Sequence, residues 1–582
     1  MGKGGQKHYN DTTATSASSS VDDADDDTTK RNQKTKSLLL LKKRNKNLPA
    51  ITTAQLASKC TLSGGVWLAY EGIVYDVTRW IPKHPGGIRA VMSSAGRDAT
   101  AVMKSLHHPK TLTEHIMKRT RAVGRLVVDD DEKKNSNTTI DKDFEQLGQE
   151  LLENGWYEPK LSAYFFPVLR AFALFGMGLK LVYSGDNLES TYDSLTLMAG
   201  SVLIGLFFQN VAFLGHDAGH GSITGRFDWD LYLGLVVGNG LTGIDLGWWK
   251  STHYVHHSAT NSLHDDPDIQ HMPLLCFEER YAVADSSGEG STTTDGLWST
   301  YHGRYLPGLQ HFLCRYIVPY QHYYFYPTLC VARFSLHIMS IVHVVQTCPL
   351  LPSTTSSSEE ISSTSSDGKV KERYAWPQPS LPLWCLQAGS LVFYWTMLVL
   401  FLTSLDSWQA AALTLSCIYI TTGILHVQIV LSHIPMQYCA DGHGRTGGRR
   451  HGAAAASSDD VVVDSSSSSS PEISYYEWQA LSTMDVDCPA WMDWFHGGLQ
   501  FQLEHHLFPR VPRRNLRKLM KKTDALFQKH NIAVTRKPFL AANVKLLQHM
   551  QRVGRAVQNA AAAAQQQQEE LFVSAEKTVK TE

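Results

Sequence analysis

The chain runs to 582 residues, enough for several domains. Its 54 Lys and Arg nearly balance 55 Asp and Glu, for a formal net charge of -1, so no charge bias points to a nucleic-acid partner. Nine cysteines with no C-x-x-C pair argue against a zinc ribbon or a disulfide framework and fit a reducing compartment.

Residues 1–48 are polar and rich in Ser, Thr and Asp. They lack the apolar core of a signal peptide and read as a disordered tail. The basic run 30–46 within it suits a solvated linker or a contact with anionic lipid. Residues 51–128 read as a compact globular segment, 129–150 as a linker opened by a charged run, and 151–540 as a mostly apolar body. Residues 541–582, Ala/Gln-rich after Val553, read as a second disordered tail. Ser/Gly-rich interruptions near 284–297, 352–370 and 441–470 read as unstructured surface insertions.

In the globular segment, Trp67-Leu-Ala-Tyr-Glu-Gly-Ile-Val-Tyr-Asp76 alternates like a hairpin. Trp80-Ile-Pro-Lys-His84-Pro-Gly-Gly87 then leads into a helical stretch holding Ala95-Gly-Arg-Asp-Ala-Thr100. Together these resemble the cytochrome b5 haem-binding domain. The resemblance makes His84 one axial ligand of haem b and puts the second 23 or 24 residues on, at His107 or His108; desaturase-fused members favour the shorter spacing, hence His107. Two axial histidines leave no open position, which suits electron transfer.

Four stretches in the body are long and apolar enough to span a bilayer: 161–182, 194–215, 381–404 and 409–432. The loop 183–193 is acidic and free of Lys and Arg, so it is expected to face away from the cytosol. The histidine clusters and the globular segment then fall on the cytosolic side, provided that the apolar stretch 312–345 is an interfacial helix pair rather than a crossing.

Three clusters carry the chemistry: His216-Asp-Ala-Gly-His220, His253-Tyr-Val-His256-His257 and Gln502-Leu-Glu-His505-His506. On a helix, positions i, i+3 and i+4 share one face, so each cluster projects its side chains together. A histidine at membrane depth is costly unless paired or metal-bound. Seven of them exceed the three or four ligands of a mononuclear site and suit two metal ions. Gln502 offers a carbonyl oxygen for weak ligation, or a hydrogen bond to a ligand. Asp217, Asp265, Asp266, Asp268 and Glu504 are candidates to orient ring N–H groups. His264, His271, His322, His426 and His496 lie outside the clusters and are expected to be hydrogen-bonded or interfacial. Trp248, Trp249, Trp491 and Trp494 are expected to anchor at the membrane interface, with Trp408 at the opposite boundary.

With Gly247-Trp-Trp-Lys-Ser-Thr-His253, Asp266-Pro-Asp268 and Trp494-Phe-His-Gly-Gly-Leu-Gln-Phe-Gln-Leu-Glu-His-His-Leu-Phe-Pro509, these boxes resemble the front-end desaturases of fatty acids and sphingolipids. Gln502, where other membrane desaturases carry histidine, marks that subgroup. The resemblance implies a small α+β haem domain followed by an all-α polytopic membrane domain of about four transmembrane helices plus interfacial helices. It implies two non-haem iron ions, with His433 as a further ligand, and molecular oxygen as co-substrate. It implies electrons from NAD(P)H through a cytochrome b5 reductase, and an endoplasmic reticulum membrane. The fused haem domain would serve as a donor at high effective concentration. Competing classes are a haem-fused lipid hydroxylase and a non-catalytic electron carrier; the complete boxes count against the second. Gly243-Ile-Asp-Leu-Gly-Trp-Trp-Lys250 and Asn261-Ser-Leu-His-Asp-Asp-Pro-Asp-Ile-Gln-His-Met-Pro273 look most like sphingolipid long-chain-base Δ8 desaturases, with Δ6 acyl desaturases carrying close variants.

Overall fold

The computed structural model describes residues 48–108, 111–112, 120–127, 138–281, 297–309, 311–351, 363–364, 370–371, 376, 378–439 and 473–581. The expected amino-terminal tail, the opening of the linker and most of the three Ser/Gly-rich insertions lie outside the described residues.

The amino-terminal domain is built on a five-stranded sheet of order β1-β5-β4-β3-β2, from β1 (Ala50–Thr52), β2 (Cys60–Thr61), β3 (Gly65–Tyr70), β4 (Ile73–Asp76) and β5 (Arg121–Val127). The expected hairpin is β3–β4, in antiparallel register with Trp67 opposite Asp76 and Tyr70 opposite Ile73. Its two-residue turn, Glu71 and Gly72, has positive φ at both positions, the geometry that matches strand twist. Beside the sheet, α1 (Ile88–Met92) and α2 (Thr100–Leu106) follow the His84 turn and precede His107. Gly87 opens α1 at φ 87°, a backbone that a side chain would strain.

The linker is more structured than its charge suggests. Thr138–Glu153 is a helix, α3. It buries Ile140, Phe144, Leu147 and Leu151, spaced for one helical face, in a core shared with the segment around the third cluster.

The body holds two helical hairpins. The first is α4 (Ser162–Gly185) and α5 (Thr191–Gly219), the second α9 (Leu381–Thr403) and α10 (Trp408–Val430). Ser190 and Asp193 cap α5 reciprocally, and the Ser407 hydroxyl caps α10, so each turn ends one helix and starts the next. The Tyr183 hydroxyl lies 2.8 Å from that of Ser404, which puts both turns at the same end of the bundle. Between the hairpins in sequence run α6 (Phe227–Gly234), continued as a π-helix over Leu235–Thr242, then α7 (Leu246–Ser258) and α8 (Gln321–Gln346).

Among the described residues, five helices are long and apolar enough to cross a membrane, the four of the hairpins and Val318–Gln346. The stretch 312–345, expected as an interfacial pair, is a short helix Phe312–Tyr316 followed by one continuous α8. Gln321 at the start of α8 donates to the carbonyls of Cys276 and Met550. The carbonyl of Val344 near its end takes the indole N–H of Trp384, in the first turn of α9. Both partners lie at the end of the bundle opposite the turns. With α8 spanning, an odd number of crossings would part His433 from His256, whose rings are 4.6 Å apart. Four crossings keep them together.

Residues 541–581, part of the stretch expected to be unstructured, belong instead to a helix, α14 (Phe539–Thr581). Ala542, Leu546, Met550, Val553, Val557 and Ala561 form a buried stripe on it, packed with Phe325 of α8 and Leu431 and Ile434 beyond α10. Ala and Gln are good helix formers, and the stripe supplies the packing that stabilises the helix. Shorter helices of the body include α11 (Tyr475–Ser482), α12 (Gln502–Leu507) and α13 (Leu516–Lys529).

Candidate metal centre

The three clusters come from three elements that meet where the bundle opens away from its turns. His216 sits in the last turn of α5 and His220 caps it. His253, His256 and His257 lie along α7, whose start is fixed by the Asp245 carboxylate accepting from the Trp248 N–H. Gln502, His505 and His506 lie on α12. Any Cβ on Gly219 would collide with Trp249, so the glycine lets α5 and α7 approach closely enough for the first two clusters to meet.

The side chains sort into two groups. Nitrogens of His216, His220, His253 and His505 lie within 4.8 Å of one another, and so do those of His256, His433 and His506. His257 stands between them, its ring centroid 4.7 Å from His505 and 4.2 Å from His506. In the first group, His253 Nε2 lies 3.0 Å from Nε2 of both His220 and His257. Nε2 of His216, His505 and His506 and Oε1 of Gln502 are buried without a hydrogen-bond partner. Gln502 Nε2 lies 3.2 Å from His433 Nε2, which aims the amide at the second group. Converging ring nitrogens with nothing to bond are a donor set for two metal ions, and imidazole suits iron.

Burial, reinforced by neighbouring rings, holds His253, His257, His505 and His506 well below the usual imidazole range, which keeps them in the neutral form that ligates. Burial alone would lower His256 too, but the Asp266 and Asp268 carboxylates outweigh it and raise the ring to about 9. His256 donates from Nδ1 to Asp266 at 2.9 Å, so Nε2 is the nitrogen that faces a metal, and ligation there displaces its proton. His433 donates Nδ1–H to the carbonyl of Ser482, and His506 Nδ1 lies 3.0 Å from Oε1 of Gln479.

Of the five acids expected to orient rings, Asp266 does so, with Asp268 3.8 Å from the same nitrogen. Asp217 stands 3.7 Å from His216 and is engaged by Arg513 and Tyr164. Asp265 accepts from Thr300, and Glu504 from Thr523, so neither serves a histidine. The ring of Trp249, expected at the membrane interface, stacks on His253 at 4.3 Å and forms a wall of the first group. Trp248 is buried rather than interfacial, whereas Trp491 and Trp408 are exposed. His264, His271 and His426 are hydrogen-bonded to backbone carbonyls, His496 faces Gln428, and His322 packs on Tyr323. Gln479 and Ser482 had no motif to announce them.

In the amino-terminal domain, His84 and His107 face each other with ring centroids 6.0 Å apart. Each donates Nδ1–H to a backbone carbonyl, of Gly87 and Met103, which leaves both Nε2 atoms free. Burial pushes both rings down to about 4, so they too are neutral. The pair fits the two axial positions of a haem. His108 instead packs its ring on Tyr157. This domain docks on the metal centre: Ser93 Oγ lies 2.9 Å from Ser258 Oγ at the end of α7, and Ser105 donates to the carbonyls of His506 and Leu507.

Comparison with known proteins agrees with this geometry. Residues 52–127 match the cytochrome b5-like heme/steroid binding domain, and residues 194–345 and 365–538 match the fatty acid desaturase family. A Delta(8)-fatty-acid desaturase of Helianthus annuus is 30% identical over 492 residues, 84% of this chain and 87% of the relative. A Delta 8-(E)-sphingolipid desaturase of Kluyveromyces lactis is 30% identical over 417 residues, 72% of this chain and 60% of the relative. An acyl-lipid (9-3)-desaturase of Borago officinalis is 28% identical over 491 residues, 84% of this chain and 90% of the relative. Such a pairing of domains implies haem, iron, a lipid substrate and a membrane setting. The chain belongs to the fatty acid desaturase family and carries a cytochrome b5-like domain fused to its amino-terminal side.

Proposed function

We propose that the protein is an oxygen-dependent front-end desaturase that places a Δ8 double bond in a sphingolipid long-chain base. The observation that carries the chemistry is the convergence of two histidine groups on and beside α7, the helix on which the His84 turn and Ser93 of the amino-terminal domain rest. His84 and His107 hold the haem. His216, His220, His253 and His505 hold one iron, His256, His433 and His506 the other, and His257 stands where it serves both; Gln502 completes the second group. When bound, the iron pair supplies the oxidising power to remove two hydrogens from an unactivated methylene pair, and the haem supplies electrons.

The chain's own residues set the conditions. Asp266, Gln479 and the Ser482 carbonyl hold the Nδ1 atoms of the second group and so orient its Nε2 atoms. Trp249 shields the first group from water. Docking through Ser93 and Ser105 keeps the donor domain against α7 and α12, so electron delivery is intramolecular. Electrons enter from NAD(P)H through a cytochrome b5 reductase. The enzyme resides in the endoplasmic reticulum membrane with its haem domain and boxes cytosolic, in keeping with the acidic loop 183–193.

The Kluyveromyces relative supports a sphingoid substrate, and the Borago relative favours a second reading, a front-end acyl-lipid desaturase. Lipid profiling of yeast expressing the protein separates them. Δ8-unsaturated long-chain bases are expected, with little new fatty acid even when linoleic or α-linolenic acid is supplied. New polyunsaturated fatty acids with unchanged long-chain bases would establish the acyl reading.

A further inference from the structure

Two cations stand at the junction of the haem domain and the membrane body without a counter-ion bonded to them. The His84 turn rests on α7: a Cβ on Gly86 would lie 3.6 Å from Cδ2 of Tyr254, and one on Gly87 would lie 3.5 Å from Cβ of Ser251. Lys250, next along α7, is only 8% exposed. Its ammonium sits 4.6 Å from the Phe227 ring centroid and 5.7 Å from that of Tyr254, and it makes no hydrogen bond or ion pair among the described residues. Arg510, just past the third cluster, has a buried Nε without a partner. Its Nη2 lies 3.2 Å from where a Cβ on Gly221 would stand, and Asp230 Oδ2 lies 3.8 Å from that point.

Among the described residues Asp230 is the carboxylate that acts on Lys250, and its Oδ1 is taken by the Thr224 N–H. One acid against two cations leaves positive charge in a buried place, which is costly unless an anion answers it. The charge of Lys250 acts on His84 and that of Arg510 on His107, so both cations are within electrostatic reach of the two rings that face each other across the cleft. On the haem reading above, on which this inference rests, the occupant of that cleft carries two propionate carboxylates. We propose that Lys250 and Arg510 bind the haem propionates, so that the membrane body completes the haem site of the amino-terminal domain.

Haem retention then depends on docking, and the two domains share one ligand. The test uses the full-length protein reconstituted with haem or with haem dimethyl ester, which lacks the propionate charges. The K250M and R510Q variants and the K250R control are compared for the rate of haem loss to a scavenging apoprotein and for reduction potential. With ordinary haem, each charge-removing variant is expected to lose haem about tenfold faster, the worth of one charge-assisted hydrogen bond. Its potential is expected to fall, because a nearby cation favours the reduced haem. K250R should behave as wild type, and the dimethyl ester should erase the differences. Unchanged loss rates in K250M and R510Q would overturn the proposal. So would equal acceleration with the ester, or K250R failing as K250M does. A wild-type protein without a six-coordinate haem spectrum would instead undo the haem reading itself.

Discussion

The two histidine groups lie side by side yet are held by different means. In the second, His256, His433 and His506 each meet an oxygen acceptor at Nδ1, from Asp266, the Ser482 carbonyl and Gln479. In the first, no carboxylate, carbonyl or amide among the described residues hydrogen-bonds the rings of His220, His253 or His505. Those rings contact one another and Trp249. The second group is therefore organised by the protein before any metal arrives. The first takes its final geometry from packing and from what it binds. Outer hydrogen bonds fix tautomer and ring orientation, so the two groups should fail differently when disturbed.

His257 touches both groups, and its loss should be the most severe. His257→Ala is expected to abolish product and lower the iron content from about two per chain beyond the haem, with the haem spectrum intact. Normal product from this variant would remove His257 from the centre. Asp266→Asn should cost roughly 10–100-fold in metal affinity or turnover, the usual range for an outer partner of a ligating histidine. Asp217→Asn, at the looser carboxylate beside His216, should cost clearly less; equal losses in the two would erase the contrast between the groups. Gln502→Ala is expected to lose about tenfold in turnover, at the lower end of that range, and full activity would reduce it to a packing position. Smallest is Trp249→Phe. It keeps a ring against His253 and should cost a few-fold, in line with about 0.5–1.5 kcal/mol for an aromatic pair. A loss as large as that of Asp266→Asn would mean that packing organises the first group as firmly as hydrogen bonds organise the second.

The boxes were legible because helical spacing gathers i, i+3 and i+4 whatever the surrounding fold. The partners of the second group were not. Gln479 and Ser482 are single polar residues beyond an insertion, and only the folded chain brings them beside His506 and His433. Trp249 was misplaced because a tryptophan near a span suits an interface as well as a buried wall. Its stacking on His253 follows from the close approach at Gly219, which sequence alone does not display. The carboxy-terminal helix was hidden for another reason. The stripe running from Ala542 to Ala561 at spacings of three and four is a helical pattern present in the chain, but the Ala/Gln-rich run that follows it drew the whole carboxy-terminal segment into one low-complexity reading.

The hydroxyl contact between Tyr183 and Ser404 has a consequence for the protein as an object in a bilayer. It brings the turns at 186–190 and 404–407 to one end of the bundle, while both ends of α8, the haem domain and the histidine-bearing helices gather at the other. Most of the described chain outside the four apolar helices therefore hangs from a single leaflet. Among the described residues, a protease confined to the far side would meet little beyond those two turns, whereas the same protease on the near side would meet the haem domain and the helices around the histidine groups.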